Sequence, residues 1–138
     1  MKAVYATGTN YDDPLSVLEV GTMPEPETKP FWSSIRVNSA SVNHHDVWSL
    51  QGVGLSDEQT PMILGTDAAG VLEEDIPVRK GLKAGSEVVL YTFVGTDGAG
   101  VMPGERRSIL SERYAGTMAE YTQVPSANVF AKPANLNL

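Results

Sequence analysis

The chain has 138 residues, 41% of them hydrophobic and 20% charged, a balance that fits one folded soluble domain with a proper core and excludes intrinsic disorder. Seventeen acidic against ten basic residues leave a formal charge of −7, which argues against nucleic acid and against anionic membrane surfaces as partners. No apolar run reaches spanning length, the opening MKAVYATGTNYDD has no leader pattern and cysteine is absent, so a cytoplasmic location is expected.

In chain order, short β signals dominate. MKAVYA and SVLEV read as strands, and the Pro-rich link TMPEPETKP (Thr22–Pro30) separates them from IRVNSASV (Ile35–Val42). That third run alternates apolar and polar residues, as a half-buried strand does. HHDVWSLQG reads as a short helix, with Val47 and Leu50 three apart and Gly52 placed to end it. Gln51–Thr60 reads as a polar loop. DAAGVLEE is a strand in which Gly70 implies a close approach of another backbone. Glu87–Phe93 is the next strand, and Val94–Gly116 a long irregular segment of the kind that is functional or a lobe of its own. MAEYTQVP and NVFAKP close the series. Thirteen glycines and nine prolines scattered among short strands predict a mainly β domain, an irregular barrel or sandwich.

The chemistry-bearing stretch is SVNHHDVW (Ser41–Trp48), which holds both histidines, His44 and His45, beside Asp46. A catalytic zinc needs three converging N, S or O ligands. Neighbouring residues on extended chain point to opposite faces, so the two histidines are not expected to share an ion. No CxxC, HExxH or GxSxG spacing is present. GTDGAG (Gly95–Gly100) departs from GxGxxG and reads as a surface loop, with Arg106 and Arg107 on a solvated face nearby. Residue chemistry alone yields a polar loop at Asn43–Asp46 and no reaction.

Seven segments in register carry more. MKAVYA, the PEP turn, SVNHHDVW, PMILGTDAAGV, LKAGSEVVLY, GTMAEYTQVP and ANVFAKPANL span residues 1–138. In order and spacing they resemble the N-terminal GroES-like catalytic domain of the medium-chain dehydrogenase/reductase superfamily. The resemblance implies a distorted β-barrel with a few short helices. It also implies loss of both zinc sites. Zinc alcohol dehydrogenases have Cys at the place of Asn43 and a His–Glu pair where this chain has Thr66 and Asp67. Their structural zinc lobe would fall inside Val94–Gly116, which has no cysteine. The loop is closer to those of zinc-free quinone oxidoreductases and related reductases.

Site roles follow from that resemblance. Asn43 is expected to hydrogen-bond substrate or nicotinamide, His45 to deliver a proton, and Asp46 to belong to the same catalytic loop while bracing it. His44 would lie near the cofactor phosphates, Trp48 would wall the substrate pocket, and Thr66 and Asp67 would line its floor. The implied activity is reduction of a quinone, enal or other carbonyl with NADH or NADPH, and no metal. These residues end at NLNL, where a dinucleotide-binding Rossmann domain would begin in the family, so the isolated chain is expected to be inactive. Uncovered apolar surface should favour a homo-oligomer, a dimer. The alternative is a stand-alone binding module acting through its surface.

Overall fold

A computed structural model describes residues 1–27, 29–76, 81–95 and 107–138. It is mostly β, and the described strands form three antiparallel sheets with one α-helix. β1 (Lys2–Ala6) pairs with β2 (Leu18–Thr22) on one side and with β4 (Met62–Ile63) on the other. The main sheet runs in the order β10 (Val129–Ala131), β6 (Glu87–Leu90), β5 (Ala69–Leu72), β3 (Trp32–Ser39), β9 (Tyr121–Pro125). A ribbon of β7 (Phe93–Val94) and β8 (Ser108–Ile109) completes the set.

Two apolar clusters hold these layers. Ile35, Leu72, Val88, Val124 and Val129 come from the main sheet and meet Val94 and Leu110 of the ribbon region in the larger core. The smaller one packs Leu50 of α1 (His44–Leu50) and Leu55 against Ala6, Met62 and Leu64. Burial of a leucine such as Leu50, 3% exposed, contributes about 2 kcal/mol. The helix is thereby fixed to the three-stranded sheet, and its N-terminus lies where β3 has just ended.

Several expected boundaries move, each for a local reason. The third strand is Trp32–Ser39, not Ile35–Val42: Trp32 already pairs with Pro125, and the ladder with β5 reaches its last pair at Ser39–Ala69, past a register shift between Val37 and Ser39. Val42 is consequently 83% exposed. Glu87–Phe93 divides into β6 and β7, since the Asn128 side chain donates to the carbonyls of both Tyr91 and Phe93 at 2.8 Å and bends the chain there. Gln51–Thr60 is not wholly a polar loop: Leu55 is 2% exposed and Asp57–Gln59 forms a 3-10 turn. Residues 96–106 of the long irregular segment, with most of GTDGAG and Arg106, lie outside the described residues. Arg107 is exposed and donates to the Gly95 carbonyl at 3.0 Å.

The helix and the close approach at Gly70 are where the sequence puts them. α1 ends at Leu50 and is closed off by Gly52, whose φ of +88° favours glycine and whose N–H donates to the Ser49 carbonyl. His44 and His45 therefore stand on a helix, about 100° apart around its axis, and not on extended chain.

Candidate active site

Asp46 organises the loop from beneath. It is 5% exposed, and both its oxygens serve the backbone. Oδ2 accepts the Asn43 N–H at 2.8 Å, closing the first turn of α1, and Oδ1 accepts the Gly65 N–H at 3.0 Å. One side chain thus joins the end of the β3–α1 connection to the start of the Gly65–Asp67 turn. Gly65 is needed in that turn: its φ is +95°, and a Cβ would meet Thr117 Oγ1 at 2.6 Å and the Met118 nitrogen at 2.9 Å.

With those two segments clamped, Asn43, Thr66 and Asp67 converge. The Asn43 amide nitrogen donates to Asp67 Oδ2 at 3.0 Å and to Thr66 Oγ1 at 3.2 Å, and also faces Ser41 Oγ at 3.3 Å. Ser41 donates its backbone N–H to Asp67 Oδ1 at 3.0 Å, and its hydroxyl lies 2.8 and 2.7 Å from the two Asp67 oxygens. Thr117 holds the other end of the residue, its hydroxyl donating to the Asp67 carbonyl at 2.7 Å.

Asp67 is held ionised by this arrangement. Partial burial by itself works against the charge, but donation from the Ser41 hydroxyl, the Ser41 backbone and the Asn43 amide outweighs it and lowers the pKa below the ordinary value. A carboxyl whose pKa is lower in the folded chain stabilises the fold above the unfolded value and loses that contribution as pH falls through the folded one. Urea midpoints measured from pH 6 downward should therefore fall below about pH 4, and Asp67→Asn should flatten this part of the profile.

A concavity of about 380 Å³ opens beside this carboxyl, lined by Ser39, Ser41, Asp67, Ala68, Val89 and Leu90 among others. Trp48, expected as its wall, does not line it. The indole is 48% exposed and packs on His44, ring centroids 4.9 Å apart. Thr66 is 6% exposed and sits beneath the surface.

His45 belongs to a separate polar group. Its Nε2 is 3.1 Å from Glu112 Oε1, and its Nδ1 faces Ser111 Oγ at 3.4 Å and Ser49 Oγ at 3.5 Å. No hydrogen bond joins it to Asn43, Thr66 or Asp67 among the described residues. Glu112 is tightly held: Ser108 donates to its other oxygen at 3.3 Å and Gln59 to its carbonyl at 2.9 Å. Sequence reasoning missed Glu112, Ser111 and Thr117 as members of these groups. Asp67 lies 26 residues from Ser41 and Glu112 lies 67 from His45, so no local pattern could pair them.

The residues do not fit zinc. Zinc takes thiolate, imidazole and carboxylate ligands, whereas the point where Asn43, Thr66 and Asp67 meet offers one carboxylate, one hydroxyl and an amide N–H directed inward. Among the described residues no three His, Cys, Asp or Glu side chains are grouped to hold a metal ion.

Comparison with known proteins agrees with this fold. The alcohol dehydrogenase GroES-like domain profile matches residues 29–134. The chain superposes on an NAD-dependent alcohol dehydrogenase with a TM-score of 0.79 at 35% identity, covering 99% of this chain and 41% of that one. It also matches a cobalt- and zinc-bound thermostable alcohol dehydrogenase from Pyrobaculum aerophilum, TM-score 0.77 at 27% identity, over 97% of this chain and 41% of that one. A quinone oxidoreductase from Pseudomonas syringae pv. Tomato DC3000, TM-score 0.70 at 20% identity, covering 99% and 34%, shares the fold. No curated protein sequence matches. The chain belongs to the alcohol dehydrogenase GroES-like domain family, the N-terminal domain of medium-chain dehydrogenases/reductases. It spans about 41% of the length of the first two solved relatives.

Proposed function

We propose that residues 1–138 form the substrate-side domain of a zinc-independent, NAD(P)H-dependent oxidoreductase that reduces quinones, enals or other carbonyls. The observation that carries the reading is the Asn43 amide donating to Thr66 and Asp67 where zinc-dependent relatives of the family place ligands. A hydrogen-bond donor aimed into that space repels a cation and leaves the three side chains satisfied by one another.

A reduced nicotinamide, held mainly by a dinucleotide domain beyond these residues, supplies the hydride. The chain's own contribution is the shape and polarity of the concavity beside Asp67. Ser41, Asn43 and Asp67 fix its polar end, Ala68, Val89 and Leu90 give it an apolar wall, and Asp46 holds both loops in register. His44, exposed at the first turn of α1, is the residue assigned to the cofactor phosphates. His45 is assigned as the proton source, its imidazole positioned by the Glu112 carboxyl. Trp48, whose ring packs on His44, is assigned to the substrate side of the complete protein. By themselves these 138 residues contain no glycine-rich dinucleotide turn and are proposed to be inactive. The complete protein is proposed to be a cytoplasmic dimer, in keeping with exposed apolar side chains such as Tyr91, Phe93 and Phe130.

Metal content tests the reading. Protein prepared without a chelating tag is expected to carry zinc far below one ion per chain. NADPH-dependent quinone reduction by the complete protein should survive a chelator. One zinc per chain, or activity lost to the chelator and restored by zinc, would sink the proposal.

A further inference from the structure

A second cavity lies away from Asp67. It measures about 330 Å³ and opens between the Pro-rich link after β2, the start of β3 and the strand β9. Its wall is apolar and soft, built by Met23, Met62, Trp32 and Tyr114 together with prolines 24, 26 and 61. Methionine side chains adapt to ligands of different outline, and a cavity of this volume is within the range that holds small molecules. The Trp32 and Tyr114 rings lie 5.3 Å apart, tilted by 48°, and present an aromatic surface to it.

The polar groups are few. The Lys29 ammonium stands 4.7 Å from the Trp32 ring and 5.9 Å from that of Tyr114. Glu27 shares the rim, yet no ion pair joins Lys29 to a carboxylate among the described residues. Gln123, 7% exposed, also lines the cavity; its Nε2 donates to Ser34 Oγ at 2.9 Å while its Oε1 has no partner among the described residues.

The cavity shares no lining residue with the concavity at Asp67. Trp32 at the start of β3 borders one and Ser39 at its end borders the other, about 23 Å apart at the rise of an extended strand.

We propose that this cavity binds a small aromatic acid, its ring against Trp32 and Tyr114 and its carboxylate toward Lys29. The aromatic wall favours a ring over an alkyl chain through edge-to-face contact. The ammonium at the rim selects an anion, since a charge-assisted contact there replaces water on both partners.

The probe is 1-naphthoate, with uncharged 1-naphthamide as its twin, titrated calorimetrically into the 138-residue chain and followed by the indole N–H signals of its two tryptophans, Trp32 and Trp48. The expected result is saturable one-to-one binding of 1-naphthoate that shifts the Trp32 signal, with 1-naphthamide about tenfold weaker. Lys29→Met should erase that difference. Ala115→Trp, at an exposed position on the cavity lining, should abolish binding of both compounds. No saturable binding of 1-naphthoate, equal affinity for both compounds, a response at Trp48 in place of Trp32, or unchanged binding in A115W would each overturn the proposal. The two ligand comparisons use the unsubstituted chain, so they decide the matter even if a variant does not fold.

Discussion

Asp46→Ala is expected to cost about 3–5 kcal/mol, the range for orphaning one buried and one partly buried donor together with loss of a helix cap. The residue is 5% exposed, so water cannot replace its oxygens, and the N–H groups of Asn43 and Gly65 would both lose their partner. In a domain of this size that corresponds to a fall in melting temperature of about 10 °C or more, readable by circular dichroism. Asp46→Asn keeps one acceptor and should lose roughly half as much. The substitution also tests how the site is built. Asn43 and Thr66 meet because Asp46 ties their two loops together, so the Asn43 side-chain amide signals should lose their hydrogen-bonded shift in the alanine variant. A melting temperature within 2 °C of the parent, where about 0.5 kcal/mol is at stake, would show that Asp46 does not carry this load.

Gly70→Ala should be as damaging, through sterics. A Cβ on Gly70 would lie 2.2 Å from the Arg36 carbonyl oxygen and 2.9 Å from Ile35 Cγ2. The closest obstacle is backbone, which cannot rotate aside, so β3 and β5 would have to separate at the centre of the main sheet. Overpacking against backbone is expected to cost about 4 kcal/mol or more, seen as insoluble protein or a melting temperature lower by over about 10 °C. Gly81→Ala is the control. That glycine has φ of +89° with no atom within 4 Å of a Cβ, so only backbone strain of about 1 kcal/mol is at stake. Equal losses at the two positions would refute the steric account.

Gly70 is also a place where the sequence was legible. A glycine flanked by alanine and valine in a β pattern has little purpose except to admit another chain, and Arg36 is that chain. The short helix, its closure by Gly52 and the strand-rich character were readable for the same reason: each depends on neighbours within a few residues. The Asn43–Asp46 cap was within reach too, because Asn followed three residues later by an acid marks a helix start.

A mainly β domain, the order of its strands along the chain and, through seven motifs in register, its family can be read from the residues alone. Those are properties of local pattern and spacing. Which polar side chains meet is settled by the packed fold. It brought Ser41 and Asn43 to Asp67 across a turn that Gly65 makes possible, and it gave His45 to Glu112, across 67 residues. It also ended β3 at Ser39, and two residues further on the Ser41 N–H is donated to Asp67. The physical reason is the same in each case. A hydrogen bond depends on distances of a few tenths of an ångström, and these are set by where strands pair and loops are clamped, which no spacing along the chain records.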